Sequence, residues 1–165
     1  MSFKRADANL FGQFYGLSRA DSGEAGQEQV FVGRTTLTGA MSDRIPAFIQ
    51  SMDVRPTDRV LEIGCGHGVA ATLICRVLTS GCYVGLDRSR VMIAAASTRN
   101  LEFVGQGKAE FLLGALETFD FGRRKFDKIV AMRVGLFHRE PERAQRLVES
   151  CLASGGELFV QYDEP

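Results

Sequence analysis

An apolar strand pattern that runs into three closely spaced glycines is the feature that most constrains how this chain can fold. Residues 60–71 read VLEIGCGHGVAA, which places glycine at Gly64, Gly66 and Gly68. Glycine weakens helices and strands, yet these three stand where a strand pattern ends and an apolar helical pattern begins. Such a turn lets the backbone approach a ligand closely. The sequence therefore predicts a strand, a ligand-binding turn and a helix, in this order.

The same alternation of strand and helix patterns continues through the rest of the 165 residues. Strands are predicted at residues 59–63, 83–86, 110–113, 126–132 and 157–162, the last after a break at 154–156. Helices are predicted at residues 69–78, 89–98 and 140–153, with one or two more in 36–52, where Pro46 interrupts the pattern. Repeated βα units predict an α/β fold with a doubly wound, mostly parallel sheet and helices on both faces.

The first part of the chain is less regular. Aromatic residues such as Phe11 and Phe14 flank glycines such as Gly12, and these glycines discourage a long helix. We expect an N-terminal helical arm over residues 1–56, which either closes over the site as a lid or packs on the core. Residues 57–165 are expected to form the ligand-binding domain.

Composition narrows the classes of partner. Twenty Lys and Arg residues balance twenty Asp and Glu residues, so charge disfavours nucleic acid and an anionic membrane. No apolar stretch reaches about 18 residues, and the start of the chain is too polar for a secretory signal. Four cysteines without a C-x-x-C pair, together with only two histidines, predict free thiols and no metal site. We therefore expect a soluble, cytoplasmic protein.

Two acidic residues near the glycines define the expected ligand more closely. Asp87 ends the second strand pattern, nineteen residues after Gly68, where a carboxylate can accept hydrogen bonds from both hydroxyls of a ribose. The alternative is that Asp87 only caps the helix beside Ser89. Glu62 precedes the glycines, where it would repel a pyrophosphate but suits a sulfonium or an amine. Val69 also stands where a dinucleotide-binding pattern has its last glycine.

These segments resemble those of a known enzyme family. EIGCGHG (residues 62–68) resembles motif I of the class I S-adenosylmethionine-dependent methyltransferases, and VGLDRS (84–89) is similar to their ribose-binding segment. Residues 109–117, 126–132 and 152–159 are similar to the segments at the third, fourth and fifth strands. The resemblance covers about two-thirds of the chain. It implies a three-layer, Rossmann-like sheet in the order 3-2-1-4-5, with S-adenosylmethionine as cofactor and S-adenosylhomocysteine as product.

The resemblance also assigns residues to the cofactor. It places Glu62 near the amino group of the cofactor and Asp87 at the ribose hydroxyls. Ala115 stands where the family usually has an acid that binds adenine, so weaker cofactor binding is expected. The full set of expected cofactor-binding residues is Glu62, Gly64, Cys65, Gly66, Gly68, Asp87, Arg88, Ala115 and Leu116.

The candidate catalytic residues follow the fourth strand pattern. His138 is a candidate general base, or alternatively a cap of the helix that begins at Glu140. Arg133 is a candidate for pairing with an acidic substrate, or alternatively a solvated side chain. Because a sulfonium already activates its methyl group, alignment of the acceptor and exclusion of water are the main requirements. The chain has no N/D-P-P-Y/F motif, which disfavours methylation of the amino groups of adenine, cytosine or glutamine.

The resemblance predicts an S-adenosylmethionine-dependent methyltransferase. The balanced charge, together with an arm of some fifty residues before the first strand, favours a small molecule as the acceptor. The alternative is an S-adenosylmethionine- or nucleoside-binding module, or a partner subunit, without turnover; a nicotinamide-dependent oxidoreductase comes third. Family members usually continue beyond the fifth strand, and this chain is expected to lack strands six and seven. Strand 157–162 would then be an exposed apolar edge, which predicts a homodimer through that strand.

Overall fold

Alternating apolar residues build one six-stranded sheet in the part of the chain that the computed structural model describes, residues 13–18 and 41–162. The strands are β1 (Gln13–Ser18), β2 (Arg59–Ile63), β3 (Cys82–Asp87), β4 (Ala109–Leu113), β5 (Phe126–Met132) and β6 (Leu152–Tyr162). The helices are α1 (Met41–Ser51), α2 (Val69–Val77), α3 (Arg90–Arg99), α4 (Leu101–Gly105), α5 (Gly135–Arg139) and α6 (Pro141–Glu149).

The five strands from β2 to β6 are parallel and confirm the predicted fold class. Across the sheet the order is β1-β6-β5-β2-β3-β4, so the parallel strands follow the order 3-2-1-4-5 when counted from β2. The order reverses between β2 and β5. In an open parallel sheet, ligands bind beyond the carboxyl ends of the strands at this point. The turn that contains the three glycines lies there.

Helices cover both faces of the sheet over two apolar clusters. Leu61 of β2 lies in one cluster and Val60 in the other, because successive side chains of a strand point to opposite faces. This double burial explains why β2 reads as an almost continuous apolar run. Phe48 of α1 is fully buried in the second cluster, together with Ile74 of α2. Helix α1, within the predicted N-terminal arm, is thus packed on α2.

The N-terminal segment and the short helices differ from the predictions. Residues 13–18 of the predicted helical arm form a strand, while residues 1–12 and 19–40 of that arm lie outside the described residues. Pro46 lies within the single helix α1. The sequence does not predict α4 and α5, because five residues carry too little periodicity.

Two predicted boundaries near the last strand are wrong. Helix α6 ends at Glu149 rather than at residue 153, and β6 begins at Leu152 rather than at residue 157. The glycine-containing break is a bulge within one long strand, because the pairing of β5 with β6 shifts between Phe126 and Lys128. Gly155 in the bulged segment has a φ of +72°, a conformation that glycine adopts without strain.

The predicted exposed edge at residues 157–162 is also wrong. Strand β1 pairs with β6 in antiparallel fashion, from Gln13 opposite Tyr162 to Ser18 opposite Glu157. An unpaired edge strand leaves its backbone N–H and C=O groups without partners, and β1 supplies those partners from the same chain. The expectation of a homodimer through this strand therefore loses its physical basis.

Membrane-spanning helices are absent from the described ranges. The longest helix there, α1, has 11 residues, and none of the helices combines the length and the hydrophobicity that a bilayer requires.

Removal of β1 is expected to cause self-association. A chain that lacks residues 1–18 exposes the backbone of β6 to pairing with a second molecule. Its molar mass, measured by size-exclusion chromatography with light scattering, should exceed that of the full chain at the same concentration. A chain that lacks only residues 1–12 keeps β1 and serves as the control. Equal masses for the two truncated chains would contradict the role of β1 as an edge cover.

Candidate functional site

The glycine loop, residues 64–68, connects the carboxyl end of β2 to α2. Gly64, Gly66 and Gly68 have φ angles of +73°, +51° and +73°, all in the left-handed region that favours glycine. The backbone N–H groups of Gly64 and Cys65 donate hydrogen bonds of 2.7 and 3.1 Å to the carbonyl oxygen of Leu86 in β3. The loop is therefore fastened to the neighbouring strand end at the point where the strand order reverses.

Each glycine of the loop faces different surroundings. A Cβ atom at Gly64 would lie 2.7 Å from Cγ2 of Val134, and one at Gly68 would lie 2.6 Å from Nδ2 of Asn100. A Cβ atom at Gly66 would meet no atom within 4 Å. Gly64 and Gly68 thus permit close packing, whereas Gly66 borders open space. A ligand can approach the backbone at Gly66.

Asp87, at the end of β3, links the glycine loop to the start of α3. One of its carboxylate oxygens accepts a hydrogen bond from the N–H of Gly66 at 2.9 Å, and the other accepts from the N–H of Ser89 at 2.8 Å. The residue that caps α3 is Ser89, whose side chain accepts a hydrogen bond from the N–H of Met92, whereas Asp87 binds the N–H of Ser89 just before the helix. Because each carboxylate oxygen has a further lone pair, Asp87 can still accept hydrogen bonds from two hydroxyl groups.

A cavity of about 300 Å³ at this edge is the larger of two that are lined by described residues and share Gly64. It lies between the carboxyl ends of β2, β3, β4 and β5. Its lining contains six of the predicted site residues, namely Gly64, Asp87, Arg88, Ala115, Leu116 and Arg133. Glu117, Met132, Val134 and Arg139 are among the residues that complete the lining. The structure thus brings together residues from four separate segments of the sequence.

A smaller cavity of about 250 Å³ lies on the other side of the glycine loop. Its lining contains three further predicted residues, Glu62, Cys65 and Gly66, together with Arg44 of α1 and Gln161 of β6. Gly64, Met132 and Arg133 line both cavities. The two cavities therefore adjoin at the end of β5.

The two candidate catalytic residues occupy different positions. Arg133 borders both cavities and has a φ of +57°, which is uncommon for a residue with a side chain. Its backbone N–H donates a 2.9 Å hydrogen bond to the carbonyl oxygen of Gln161. His138 is an exposed residue of α5 and lines neither cavity, whereas Arg139 on the same helix lines the larger one. Gly68 is buried behind the loop and also lines neither cavity.

Glu62 has an unusual environment for an acid. It is 2% exposed and accepts a short hydrogen bond from the hydroxyl of Tyr83, which is fully buried. Burial raises the pKa of Glu62 to about 8; the hydrogen bond from Tyr83 opposes this shift, and the charge of Asp87 adds to it. The carboxyl group is therefore mostly protonated at neutral pH. A cation in the smaller cavity would favour its ionised form.

The cysteines near the site have no nucleophilic character. Burial raises the pKa of the Cys65 thiol well above its usual range, and the nearby acids Glu62 and Asp87 raise it further. Burial likewise raises the pKa of Cys75 to about 12. Both thiols stay protonated at neutral pH, and only a thiolate is a strong nucleophile. Over the described residues, no group of three or more His, Cys, Asp or Glu side chains could hold a metal ion.

Two residues that the sequence does not single out contact the glycine loop from the end of α3. The side-chain nitrogen of Asn100 donates to the carbonyl oxygen of Gly68 at 3.0 Å, and Nε of Arg99 donates to that of His67 at 3.0 Å. An asparagine after a helical pattern indicates a helix end. The sequence contains no signal that this helix end lies against a loop 32 residues earlier.

Alanine at two of the glycines should destabilise the fold to different degrees. Both Gly66→Ala and Gly68→Ala place a side chain in the left-handed region, at a cost of about 1–2 kcal/mol. Only at Gly68 would the new methyl group also collide with Asn100 and Ala96. Urea denaturation should therefore give a clearly lower free energy of unfolding for Gly68→Ala than for Gly66→Ala. Equal losses would show that the packing behind Gly68 adjusts without cost.

The protonation of Glu62 predicts how stability depends on pH. The pKa of Glu62 is near 4.5 in an unfolded chain and about 8 in the folded protein, so the folded protein holds one more proton between these values. Stability therefore falls as pH rises through this range. We expect the unsubstituted protein to lose up to about 3 kcal/mol of its free energy of unfolding between about pH 5.5 and about pH 8.5. The Glu62→Gln variant should not show this loss.

Urea denaturation at the two pH values measures this difference. Glu142→Gln, at an exposed position of α6, is the control and should keep the pH dependence of the unsubstituted protein. If Glu62→Gln keeps that dependence too, the pKa of Glu62 is not raised.

Solved structures of other proteins share this fold. A SAM-dependent methyltransferase from Geobacter sulfurreducens, in complex with S-adenosyl-L-homocysteine, aligns with a TM-score of 0.62 and 19% identity over 72% of this chain and 47% of its own. The [4+2]-cyclase SpnF aligns with a TM-score of 0.62 and 24% identity over 93% of this chain and 51% of its own. At these identities the similarity establishes the fold alone.

Sequence comparison identifies the family. The putative methyltransferase YrhH of Bacillus subtilis is 28% identical over 115 residues, 70% of this chain and 63% of that protein. Phthiotriol/phenolphthiotriol dimycocerosates methyltransferase 1 of Mycobacterium ulcerans is 35% identical over 104 residues, 61% of this chain and 36% of that protein. The chain thus spans less than two thirds of either relative. Residues 60–156 match the family described as methyltransferase domain, and since this match covers more than half of the chain, the protein belongs to that family.

Proposed function

We propose that the protein is an S-adenosylmethionine-dependent methyltransferase that acts on a small molecule. The open space in front of Gly66 is the observation that carries this proposal. The N–H of Gly66 is bound to Asp87, which lines the larger cavity, and Gly66 itself lines the smaller cavity together with Glu62. A ligand at Gly66 would therefore have the carboxylate of Asp87, which can accept hydrogen bonds from hydroxyl groups, on one side and the buried carboxyl group of Glu62 on the other.

The residues of the two cavities fit the two ends of the proposed cofactor. Asp87 has lone pairs for the ribose hydroxyls, and Ala115 and Leu116 form the adjoining wall for the adenine. No hydrogen bond in the described part of the chain uses the backbone N–H of Leu116, so this group is available to the adenine ring. Glu62 in the smaller cavity would accept the ammonium group, whose charge favours the ionised carboxylate.

The proposed reaction requires few catalytic groups from the protein. The sulfonium of the bound cofactor supplies an activated methyl group, so the chain mainly has to align an acceptor and exclude water. Met132, Val134 and Leu136 provide an apolar wall beside the cofactor space. Arg133 borders both cavities and would orient an acceptor that carries a negative charge. We therefore favour Arg133 over His138 as a residue that contacts the substrate.

The alternative function is a module that binds S-adenosylmethionine or a related nucleoside without turnover. Its support is the composition of the larger cavity. The lining, as far as the structure describes it, holds two carboxylates and three arginines, but no histidine, lysine, cysteine or tyrosine. An acceptor that must lose a proton would find few bases there. The SpnF cyclase, of similar fold, illustrates that this architecture also occurs in a protein named for a different reaction.

A small molecule is favoured as the acceptor for two reasons. The chain carries no net charge, which disfavours long nucleic acids. The Mycobacterium ulcerans relative is named for methylation of phthiotriol dimycocerosates, which is compatible with an acceptor other than a macromolecule.

Binding of the cofactor can be tested by calorimetry. The unsubstituted protein should bind S-adenosylmethionine and S-adenosylhomocysteine, but not NAD. Gly66→Ala should weaken binding of S-adenosylhomocysteine by about tenfold or more, because its methyl group would occupy the ligand space. Gly107→Ala is a matched control: Gly107 has a φ of +68° and nothing within 4 Å of a Cβ atom, but it lies in the turn before β4.

Three outcomes separate the hypotheses. Stronger binding of NAD than of S-adenosylhomocysteine would overturn the proposal. Equal affinities for Gly66→Ala and Gly107→Ala would place the cofactor elsewhere. Binding of S-adenosylmethionine without formation of S-adenosylhomocysteine, across a panel of amines, phenols and carboxylic acids, would favour the module without turnover.

A further inference from the structure

Helix α3 has one fully buried side chain. Ala96 is buried, Met92, Ile93 and Ala95 are half-buried, and Val91 is 71% exposed. Burial of apolar surface usually provides most of the free energy that holds a helix in place. The position of α3 therefore depends on polar contacts at its ends as well as on packing, and both ends contact the glycine loop.

The first end of α3 reaches the loop through Asp87. This carboxylate joins the N–H of Ser89, the residue before the helix, to the N–H of Gly66. The side chain of Ser89 also accepts a 3.4 Å hydrogen bond from the N–H of Met92 in the first turn of the helix. The start of α3 and the middle of the loop are thus held by one carboxylate.

The second end of α3 binds the loop directly. Nε of Arg99 donates to the carbonyl oxygen of His67, and the side-chain nitrogen of Asn100 donates to the carbonyl oxygen of Gly68. The same nitrogen of Asn100 donates to the carbonyl oxygen of Ala96 at 2.9 Å. Two consecutive carbonyl groups of the loop are therefore oriented towards α3.

Asn100 fills the space that a side chain at Gly68 would need. It is 1% exposed, and its oxygen accepts a 2.7 Å hydrogen bond from the hydroxyl of Thr72 in the first turn of α2. Both functional atoms of this amide are used, one towards the loop and one towards α2. Position 68 therefore requires glycine because the side chain of Asn100 occupies the space beside it.

The orientation of these carbonyl groups determines where neighbouring N–H groups point. In a trans peptide unit the C=O and N–H groups point in opposite directions. The carbonyl group of Gly68 is held by Asn100 and by the backbone N–H and hydroxyl of Thr72 in α2, so the N–H of Val69 points away from α3. Val69 lines the smaller cavity, on the side of the loop where Glu62 lies. The contact of Asn100 thus bears on backbone donors at the ligand face of the loop.

We propose that Arg99 and Asn100 are positioning residues for the cofactor: they set the conformation of residues 66–69 and so the affinity for the ligand, without touching it. The identity of that ligand as S-adenosylhomocysteine or S-adenosylmethionine rests on the proposed function. The conformation of the loop in the free protein does not depend on the proposed function. The identity of the ligand and the conformation of the loop are therefore measured separately.

The opposing explanation is that Asn100 only ends α3. Its hydrogen bonds to Ala96 would suffice for that role, and its substitution would then lower stability but leave the ligand affinity of the folded protein unchanged. The positioning role instead predicts a change in affinity and in the dynamics of the loop. The two explanations differ in measurable quantities.

The experiment compares Asn100→Ala, Arg99→Ala and Leu101→Ala with the unsubstituted protein. Leu101 is 70% exposed in α4 and serves as the control at the next position in the sequence. Three quantities are measured: the dissociation constant of S-adenosylhomocysteine by calorimetry, the free energy of unfolding in urea, and hydrogen exchange of residues 64–69 without ligand. Calorimetry is carried out under conditions where each variant is folded.

We expect Asn100→Ala to weaken binding by about tenfold and Arg99→Ala by about threefold, with faster exchange in the loop for both. Leu101→Ala should match the unsubstituted protein. Unchanged affinity and exchange in folded Asn100→Ala would overturn the proposal. If Asn100→Ala does not fold, Arg99→Ala decides by the same criteria, because Arg99 is exposed and its loss leaves no cavity. If the unsubstituted protein binds no S-adenosylhomocysteine, the proposed function fails, while the exchange rates still decide the positioning role.

Discussion

The hydrogen bond from the N–H of Gly66 to the carboxylate of Asp87 is the contact on which the candidate site depends. It joins the loop after β2 to the end of β3, and these parallel strands bring their carboxyl ends to one edge of the sheet. A single carboxylate then has two tasks, because it fixes the loop and keeps lone pairs for a ligand. A side chain at Gly66 would remove the open space that makes this arrangement useful. The pairing of β2 with β3, the conformation of the loop and the space for a ligand therefore depend on one another.

The buried carboxyl group of Glu62 lowers the stability of the fold at neutral pH, and binding of a cation beside it would offset this cost. A carboxylate with almost no exposure loses its hydration, which raises its pKa and keeps it protonated near neutral pH. Tyr83 is its hydrogen-bond partner from the adjacent strand, and both groups are enclosed by the apolar cluster under α2. An apolar residue at position 62 would avoid this cost. The presence of an acid at this position is explained if a cationic group enters the smaller cavity and restores the favourable electrostatic environment of the carboxylate.

Local patterns were sufficient to predict the five parallel strands, the order of the sheet through family resemblance, and the loop with its acids. The strands and the glycine loop each lie within one βα unit, where periodicity and glycine spacing carry the information, whereas the order of the sheet follows from the resemblance alone. The pairing of β1 with β6 joins residues almost 150 positions apart, and no local pattern encodes it. The contacts of Asn100 with Gly68 and of Tyr83 with Glu62 are likewise invisible in sequence, because each partner alone has an ordinary structural explanation. The Ser-Gly-Gly sequence at 154–156 predicts a break, and only the register of β5 with β6 shows that it is a bulge.

This division between local and long-range features has a consequence for specificity. The contacts expected for the cofactor come from short segments that follow β2, β3 and β4, so they are preserved whenever those βα units are preserved. The remaining wall of the smaller cavity is assembled from Arg44 of α1, Arg133 after β5 and Gln161 of β6, which are distant in sequence. Changes in any one of these elements would alter the shape of the smaller cavity while leaving the Gly66–Asp87 contact intact. The same loop can therefore serve proteins with different acceptors, which is why it identifies a cofactor class and leaves the acceptor to the surrounding elements.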